Sequence, residues 1–539
     1  MLIRKGIVIL CSLLFIVFNT GARDITIIPL PNECISSPEG FLIDKNVPVI
    51  AGAGGRSDTS VERLKTFIKK RYGIDLKKVV GSKGIRKAIW FEQDPDFLKE
   101  QYRLKIDASG IRIVASGDAG WFYGLQSLYQ ILPEQLPIGG QGAAVWVQGI
   151  EINDKPRFGW RAFMLDEARY FKGKERVKVL LDEMALLKMN VFHWHLVNDE
   201  GWRIEIKKYP RLTQVGAVRR SSQIGPLKWK SPIQSGEVHQ GFYTQDDIRE
   251  IIRYAQERHI TVIPEIEMPG HGSAAIVSYP FLGTTKKKFE MPTTFFQKMD
   301  IYDVSDPRVF EFLTDVLDEV TNLFPSKIIH IGGDEALQNF WKESAAVRAY
   351  MQENQLNTTG ELQMFFMNRI IVYLKQRGVR AMGWNELLGH RVHDYVAASD
   401  AKSTLSLSGN PIVHFWTGDT ALLRDAAAKG YDIVNAYSND TYLDYDYEQI
   451  PLSRAYAFDP VPKGFDERLE KKILGLGCQM WGEWIPAVGQ MQYMIFPRIA
   501  AYAEVGWTRI AQKNYEGFRQ RLQIAKTRWA RKGIYFADM

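Results

Sequence analysis

The sequence predicts an α/β fold, a (β/α)8 TIM barrel preceded by a small α+β domain. From Phe158 onward apolar strands alternate with amphipathic helices, which implies parallel strands joined by helical crossovers. Eight such strands fall within about 350 residues, the span of a barrel with insertions. The unusual polar and aromatic residues stand where these strands end, the end at which barrels carry their sites. A doubly wound open sheet is the alternative reading of the same alternation.

Taken in order, residues 1–22 read as a secretory signal peptide. Arg4 and Lys5 precede the apolar run Ile7 to Phe18, and Thr20-Gly21-Ala22 offers small residues for cleavage. The run is short for a bilayer span, and Leu10 before Cys11 makes a poor lipidation site. The expectation is export to the periplasm or the extracellular space, without stable membrane insertion after cleavage. Residues 23–155 form the support domain. Val61, Leu64, Phe67, Ile68 and Tyr72 follow helical spacing, Trp121 to Leu132 is a second helix stopped by Pro133, and Tyr102–Ile106 with Ile111–Ile113 is a hairpin turned at Ala108-Ser109-Gly110. Residues 156–508 hold the barrel, with strands at Arg161–Leu165, Asn190–Leu196, Ile260–Ile266, Lys327–Ile331, Val379–Trp384, Ile412–Trp416, Asp432–Tyr437 and Ile473–Met480. Helical stripes separate them, the first through Val177, Leu180, Leu181, Met184 and Leu187. In residues 509–539 one helical face carries Phe518, Leu522, Ala525 and Trp529, predicted to pack on the barrel. The loops 215–240 and 283–300 are placed to shape the rim.

Composition narrows the function. At 539 residues the chain exceeds one ordinary core, and 45% hydrophobic with 24% charged residues is globular usage. Basic residues are spread along the chain, so the formal charge of +7 points to no nucleic acid. Without the leader only Cys34 and Cys478 remain, too few for a disulfide framework, and whether they pair is not legible. The 14 Trp are more informative, because sugar rings stack on their apolar faces.

The chemistry concentrates at Ile328 to Glu335. A buried strand ends in Gly332-Gly333 and two adjacent acids, Asp334 and Glu335. Neighbouring strand residues point to opposite faces, so these acids share one site only if the glycines break the strand. Two acids that close repel, and one is expected to hold its proton to higher pH. Other strand ends give Arg169, a planar donor for hydroxyls or a structural ion-pair partner; His193 and His195 on one strand face; the run Glu265 to His271; Trp384, Trp416 and Trp481; Tyr442-Leu443-Asp444; and Glu483. Three Trp at matching strand ends read as pocket walls, since barrel interiors favour branched aliphatics. Two rival readings stand beside a hydrolase of sugars. His193, His195, His271 and Asp334 could surround zinc in a metal-dependent amidohydrolase, or the pocket could bind an amino sugar without turning it over.

Leu165-Asp166-Glu167-Ala168-Arg169, His193-Trp194-His195-Leu196, Gly332-Gly333-Asp334-Glu335, Gly383-Trp384-Asn385-Glu386 and Trp481-Gly482-Glu483, in this order, resemble the β-N-acetylhexosaminidases of glycoside hydrolase family 20. The resemblance covers the whole chain after the leader. It implies an exo-acting, retaining enzyme that needs no cofactor and removes terminal β-linked N-acetylglucosamine or N-acetylgalactosamine, with the substrate's own acetamide as nucleophile. By position, it makes Glu335 the general acid and base, Asp334 the residue that orients the acetamide, Tyr442 its hydrogen-bond partner, and His271 a neighbour that sets the proton affinity of Glu335. Trp384, Trp416 and Trp481 would enclose the acetamide and sugar, and Arg169, Asp444 and Glu483 would hold the ring hydroxyls. One position departs. The family commonly has two consecutive acids after His-Trp-His-Leu, and here the first is Asn198, followed by Asp199. The resemblance assigns support of His271 to that first acid, which predicts a weakened coupling and a shifted pH profile.

Overall fold

The computed structural model describes residues 25–539 apart from 53–54, 82–83, 135–138, 226–227, 296, 391, 394–402 and 404. The predicted signal peptide lies outside the described residues. The N-terminal sheet comprises β1 (Glu33–Ile43), β2 (Pro48–Ile50), β3 (Lys77–Val79), β4 (Ala88–Gln93), β5 (Tyr102–Asp107), β6 (Gly110–Ala115) and β7 (Val145–Asp154), in the order β1-β7-β5-β6-β4-β2-β3. The predicted hairpin is β5 and β6, paired from Tyr102↔Ala115 to Asp107↔Gly110. Helix α1 (Asp58–Tyr72) packs against α2 (Asp118–Ile131), and alternation along β5 buries Tyr102, Leu104 and Ile106 on the side of α2.

Eight parallel strands then close on themselves: β8 (Trp160–Asp166), β9 (Val191–His195), β10 (Thr261–Met268), β11 (Ile328–Gly332), β12 (Arg380–Trp384), β13 (Ile412–Phe415), β14 (Asp432–Asn435) and β15 (Ile473–Met480). Each lies within a few residues of its predicted span, and β15 pairs with β8 from Gly475↔Trp160 to Met480↔Leu165. Closure removes the open sheet from consideration, since such a sheet has two edges. Around the barrel run α3 (Lys174–Leu186), α4 (Gln245–Gln256), α5 (Pro307–Leu323), α6 (Thr359–Gln376), α7 (Thr420–Ala428) and α8 (Arg498–Trp507), followed by the terminal helix α9 (Tyr515–Arg531). On α9, Phe518, Leu522, Ala525 and Trp529 are buried as their spacing predicts.

A charged clamp joins the two layers. Lys188, just after α3, donates to Asp154 of β7 at 3.0 Å with both side chains fully buried. Tyr102 and the Trp507 indole also donate to this carboxylate. One hydrophobic cluster runs from β1 through the barrel helices to α9, so the small domain is packed as part of the same core. Cys34 and Cys478 are both free thiols. Among the described residues no helix is long and apolar enough to cross a membrane.

Candidate active site

The two acids after β11 face one site because the backbone turns left-handed there. Gly332 has φ 64° and Gly333 has φ 99°, and Glu335 itself has φ 45°. A Cβ on Gly332 would run into the Glu267 carboxylate, so only glycine fits the break. The turn delivers both carboxylates to one imidazole: His271 Nε2 lies 3.5 Å from Asp334 and 3.4 Å from Glu335. Its other nitrogen, Nδ1, is 2.9 Å from Asp199. Burial and the charge of Lys298 disfavour protonation of His271, yet the surrounding acids outweigh them and raise its pKa well above the usual imidazole range.

The expected raised acid is not the pair's own Glu335. Burial pushes the Glu335 carboxyl upward, but the hydrogen bond from His271 and the charge of Lys298, whose ammonium is 3.0 Å away, hold it far below the ordinary carboxylate range. The acid raised well above the ordinary carboxylate range is Glu267, pushed up by burial and by the charges of Asp334 and Glu265. Repulsion between neighbouring acids does operate here, but a lysine and an imidazolium decide which acid yields. Lys298 comes from the 283–300 loop, and nothing in its sequence marks it as a site residue.

The second acid after the His-Trp-His-Leu motif serves His271, so the expectation for Asn198 is corrected. Asp199 accepts from His271 on one oxygen and from the Ser273 amide and hydroxyl on the other. Asn198 turns the opposite way and lies 2.9 Å from His195 Nε2. The short strand Val197–Asn198 pairs with Gly201–Trp202, and Asp199 stands in the turn between them, where the backbone sends it away from Asn198.

His193 and His195 point into the barrel, as two residues on one strand face must. Both meet Glu265, at 3.0 and 2.5 Å, with His330 and the Trp384 indole on its other oxygen at 2.8 Å each. These imidazoles hold the Glu265 carboxyl well below its ordinary range against the effect of burial. His193, Glu265 and His330 bring metal-ligand atoms within 4.8 Å, as do His195, Glu265 and Glu267. The foursome of His193, His195, His271 and Asp334 is not among the ligand clusters of the described residues. Glu265 is a hub of hydrogen bonds under the pocket floor, and it fixes the Trp384 ring by its indole N–H.

Trp384, Trp416, Tyr442 and Trp481 form an aromatic box. Ring centroids lie 6.4 Å apart for Trp384 and Trp416, 6.2 Å for Trp416 and Tyr442, 5.9 Å for Tyr442 and Trp481, and 5.9 Å for Trp481 and Trp384. Glu386 holds the Trp416 indole at 2.9 Å, and the Asn385 side chain accepts from the Trp416 amide. These contacts explain why Trp, Asn and Glu stand together at the end of β12. Arg169 is 3.1 Å from Asp166, 3.3 Å from Glu200 and 3.4 Å from Glu483. Burial raises Glu483 to about 8, although Arg169 pulls it down, and raises Asp444 to about 6. Asp334 Oδ1 and Asp444 Oδ1 are buried without a hydrogen-bond partner among the described residues. All ten sequence-predicted site residues therefore sit at the strand ends or in the loops that follow them. Sequence reasoning missed Asp199 as a site residue, as well as Lys298, Glu265 and Glu267. The i and i+2 spacing of Glu265 and Glu267 was a readable signal, since it places both on one strand face.

Comparison with known proteins agrees with this geometry. Residues 158–510 match the catalytic domain of glycosyl hydrolase family 20, and residues 24–155 match domain 2 of that family. A beta-hexosaminidase of Porphyromonas gingivalis is 34% identical over 528 residues, covering 95% of this chain and 64% of its own length. One from Vibrio furnissii is 36% identical over 429 residues, covering 77% and 66% respectively. This chain thus spans just under two thirds of those two relatives. The structure of a GH20 exo beta-N-acetylglucosaminidase from Vibrio harveyi in complex with N-acetylglucosamine superposes with a TM-score of 0.80 at 30% identity, over 95% of this chain and 78% of that one. With both family regions matched in order and the acid pair set at the end of the fourth barrel strand, the chain belongs to glycosyl hydrolase family 20.

Proposed function

We propose that this chain is an exo-acting, retaining β-N-acetylhexosaminidase that removes terminal β-linked N-acetylglucosamine or N-acetylgalactosamine by substrate-assisted catalysis. One observation carries the reading: Asp334 and Glu335 lie side by side against one imidazole, at the same end of the barrel as the aromatic box. Glu335 gives a proton to the glycosidic oxygen as the C1–O bond breaks, and the acetamide oxygen attacks C1 to form an oxazolinium ring. Asp334, through the unpartnered Oδ1, accepts from the acetamide N–H and balances the positive charge. Tyr442 donates to the acetamide oxygen, while Trp384, Trp416 and Trp481 hold the methyl group and exclude water. Glu335, now a carboxylate, takes a proton from water as that water attacks C1 and reopens the ring.

Protonating Glu335 requires that its tie to Lys298 loosen. His271, whose protonation Asp334 and Asp199 favour, holds both acids in place. Arg169, Asp444 and Glu483 bind the ring hydroxyls and close the pocket behind the terminal sugar, which supports exo action. The proposal extends to export by the 1–22 segment, to the periplasm or beyond, and to a division into 23–155, 156–508 and 509–539.

The test compares initial rates of the chain from Arg23 on an aryl β-N-acetylglucosaminide and the matching aryl β-glucoside, with and without chelator. Cleavage of the acetamido sugar alone, unaffected by chelator, supports the reading. Equal cleavage of both sugars would mean a carboxylate nucleophile, and dependence on metal would revive the amidohydrolase.

A further inference from the structure

Far from the acid pair, a cavity of about 980 Å³ opens between α1, α2, the ends of α3 and α4, and α9. Asp182 and Leu186 of α3 and Arg258 after α4 line it. Barrel helices run antiparallel to their strands, so these helix ends mark the face opposite the catalytic mouth. Its volume is at the top of the range of about 300–1,000 Å³ found for ligand sites.

Its charge leans basic, even though Arg63 and Lys532 pair with Asp118 and Glu183 outside the lining. The lining holds seven basic and four acidic side chains. One of the lining residues, Arg528 of α9, is only 6% exposed. Its Nη2 donates to Gln130 at 3.1 Å, but Nε and Nη1 are buried without a hydrogen-bond partner among the described residues. Glu134, the acid nearest in charge terms, is already bridged by Arg71 at 2.6 Å and by Arg531 at 3.2 Å. A buried guanidinium with idle donors is costly unless an anion meets it.

Two further features say what else the anion carries. Glu134 Oε1 is buried without a partner, an acceptor suited to a hydroxyl group. Phe67, Phe122 and Tyr129 supply apolar wall, with Phe67 and Tyr129 stacked at 3.9 Å, the surface on which the C–H face of a sugar ring packs. We propose that this cavity is a second carbohydrate site, distinct from the catalytic pocket, that takes a saccharide bearing a carboxylate or sulfate group on Arg528. A planar fork of donors suits either oxyanion.

Calorimetry on the chain from Arg23, at low and high salt, tests this with glucuronosyl-glucose, its neutral counterpart cellobiose, glucose 6-sulfate and inorganic sulfate. The acidic sugars are expected to bind and cellobiose not to, with affinity falling as salt rises. Comparing the two acidic sugars tells carboxylate from sulfate. Arg528→Met should weaken binding about thirtyfold or more while the rate on an aryl N-acetylglucosaminide is unchanged. Should that variant not fold, Lys70→Glu at the exposed rim is expected to weaken binding severalfold. Equal binding of cellobiose, or undiminished binding by both variants, overturns the proposal. Inorganic sulfate binding as tightly as the sugars overturns its saccharide part. Because binding is read without turnover, the outcome is independent of the catalytic reading.

Discussion

Asp199 Oδ2 stands 2.9 Å from His271 Nδ1, and the far nitrogen of that imidazole reaches both Asp334 and Glu335. A buried anion thus acts on the acid pair through one ring. Asp199 is itself held at about 2, because the hydrogen bond and charge of His271 outweigh the effect of burial.

Asp199→Asn removes that anion, so His271 loses its proton at lower pH and the alkaline limb of kcat/KM moves toward acid. A loss of about a hundredfold at neutral pH is expected. Asn198→Asp should move the limb far less, because residue 198 faces His195. Paired pH–rate profiles check this, and equal shifts would count against it.

Lys298 lies 3.0 Å from Glu335 and favours its charged form. Removing a neighbouring cation raises a carboxyl pKa. Lys298 also opposes protonation of His271, so in Lys298→Met both groups hold their protons longer and the alkaline limb of kcat/KM, set by His271, is expected to move to higher pH. A limb that moves toward acid would contradict the role given to Lys298.

Asp334→Asn keeps the shape and one hydrogen-bonding oxygen but loses the negative charge. On an aryl N-acetylglucosaminide kcat should fall about a hundredfold or more, with the thermal midpoint nearly unchanged. Steady-state kinetics beside a melting curve separates this from misfolding.

Trp384 donates to Glu265 from within the core. Trp384→Phe leaves that oxygen with His330 alone and should cost about 1–3 kcal/mol of stability, along with a raised KM. Urea titration reads the first effect and substrate saturation the second.

Asp154→Ala leaves the fully buried Lys188 without its counter-charge. Breaking a buried pair on one side costs about 3–5 kcal/mol, and the loss should appear in urea unfolding with little change in KM. A variant as stable as the parent would remove the clamp from the account of domain packing.

The eight barrel strands and the terminal helix were legible in the sequence because the periods of 2.0 and 3.6 residues are local properties of the chain. Ile328 to Gly332 with the two acids beyond it could be read as a strand and a break for the same reason. Motif order was enough to identify the family and to name Arg169, His271, Trp384, Trp416, Tyr442, Asp444, Trp481 and Glu483. Which acid yields its charge was not legible, because it depends on Lys298 from a loop far along the chain and on an imidazole from another strand end. Coulomb interactions follow distance in space, not separation in sequence. The same holds for Asn198 and Asp199: adjacent in the chain, they are sent to His195 and His271 by the turn that separates their directions. Tertiary structure alone placed Arg528 in a cavity with donors to spare, since α1, α2 and α9 meet there only after the chain has folded.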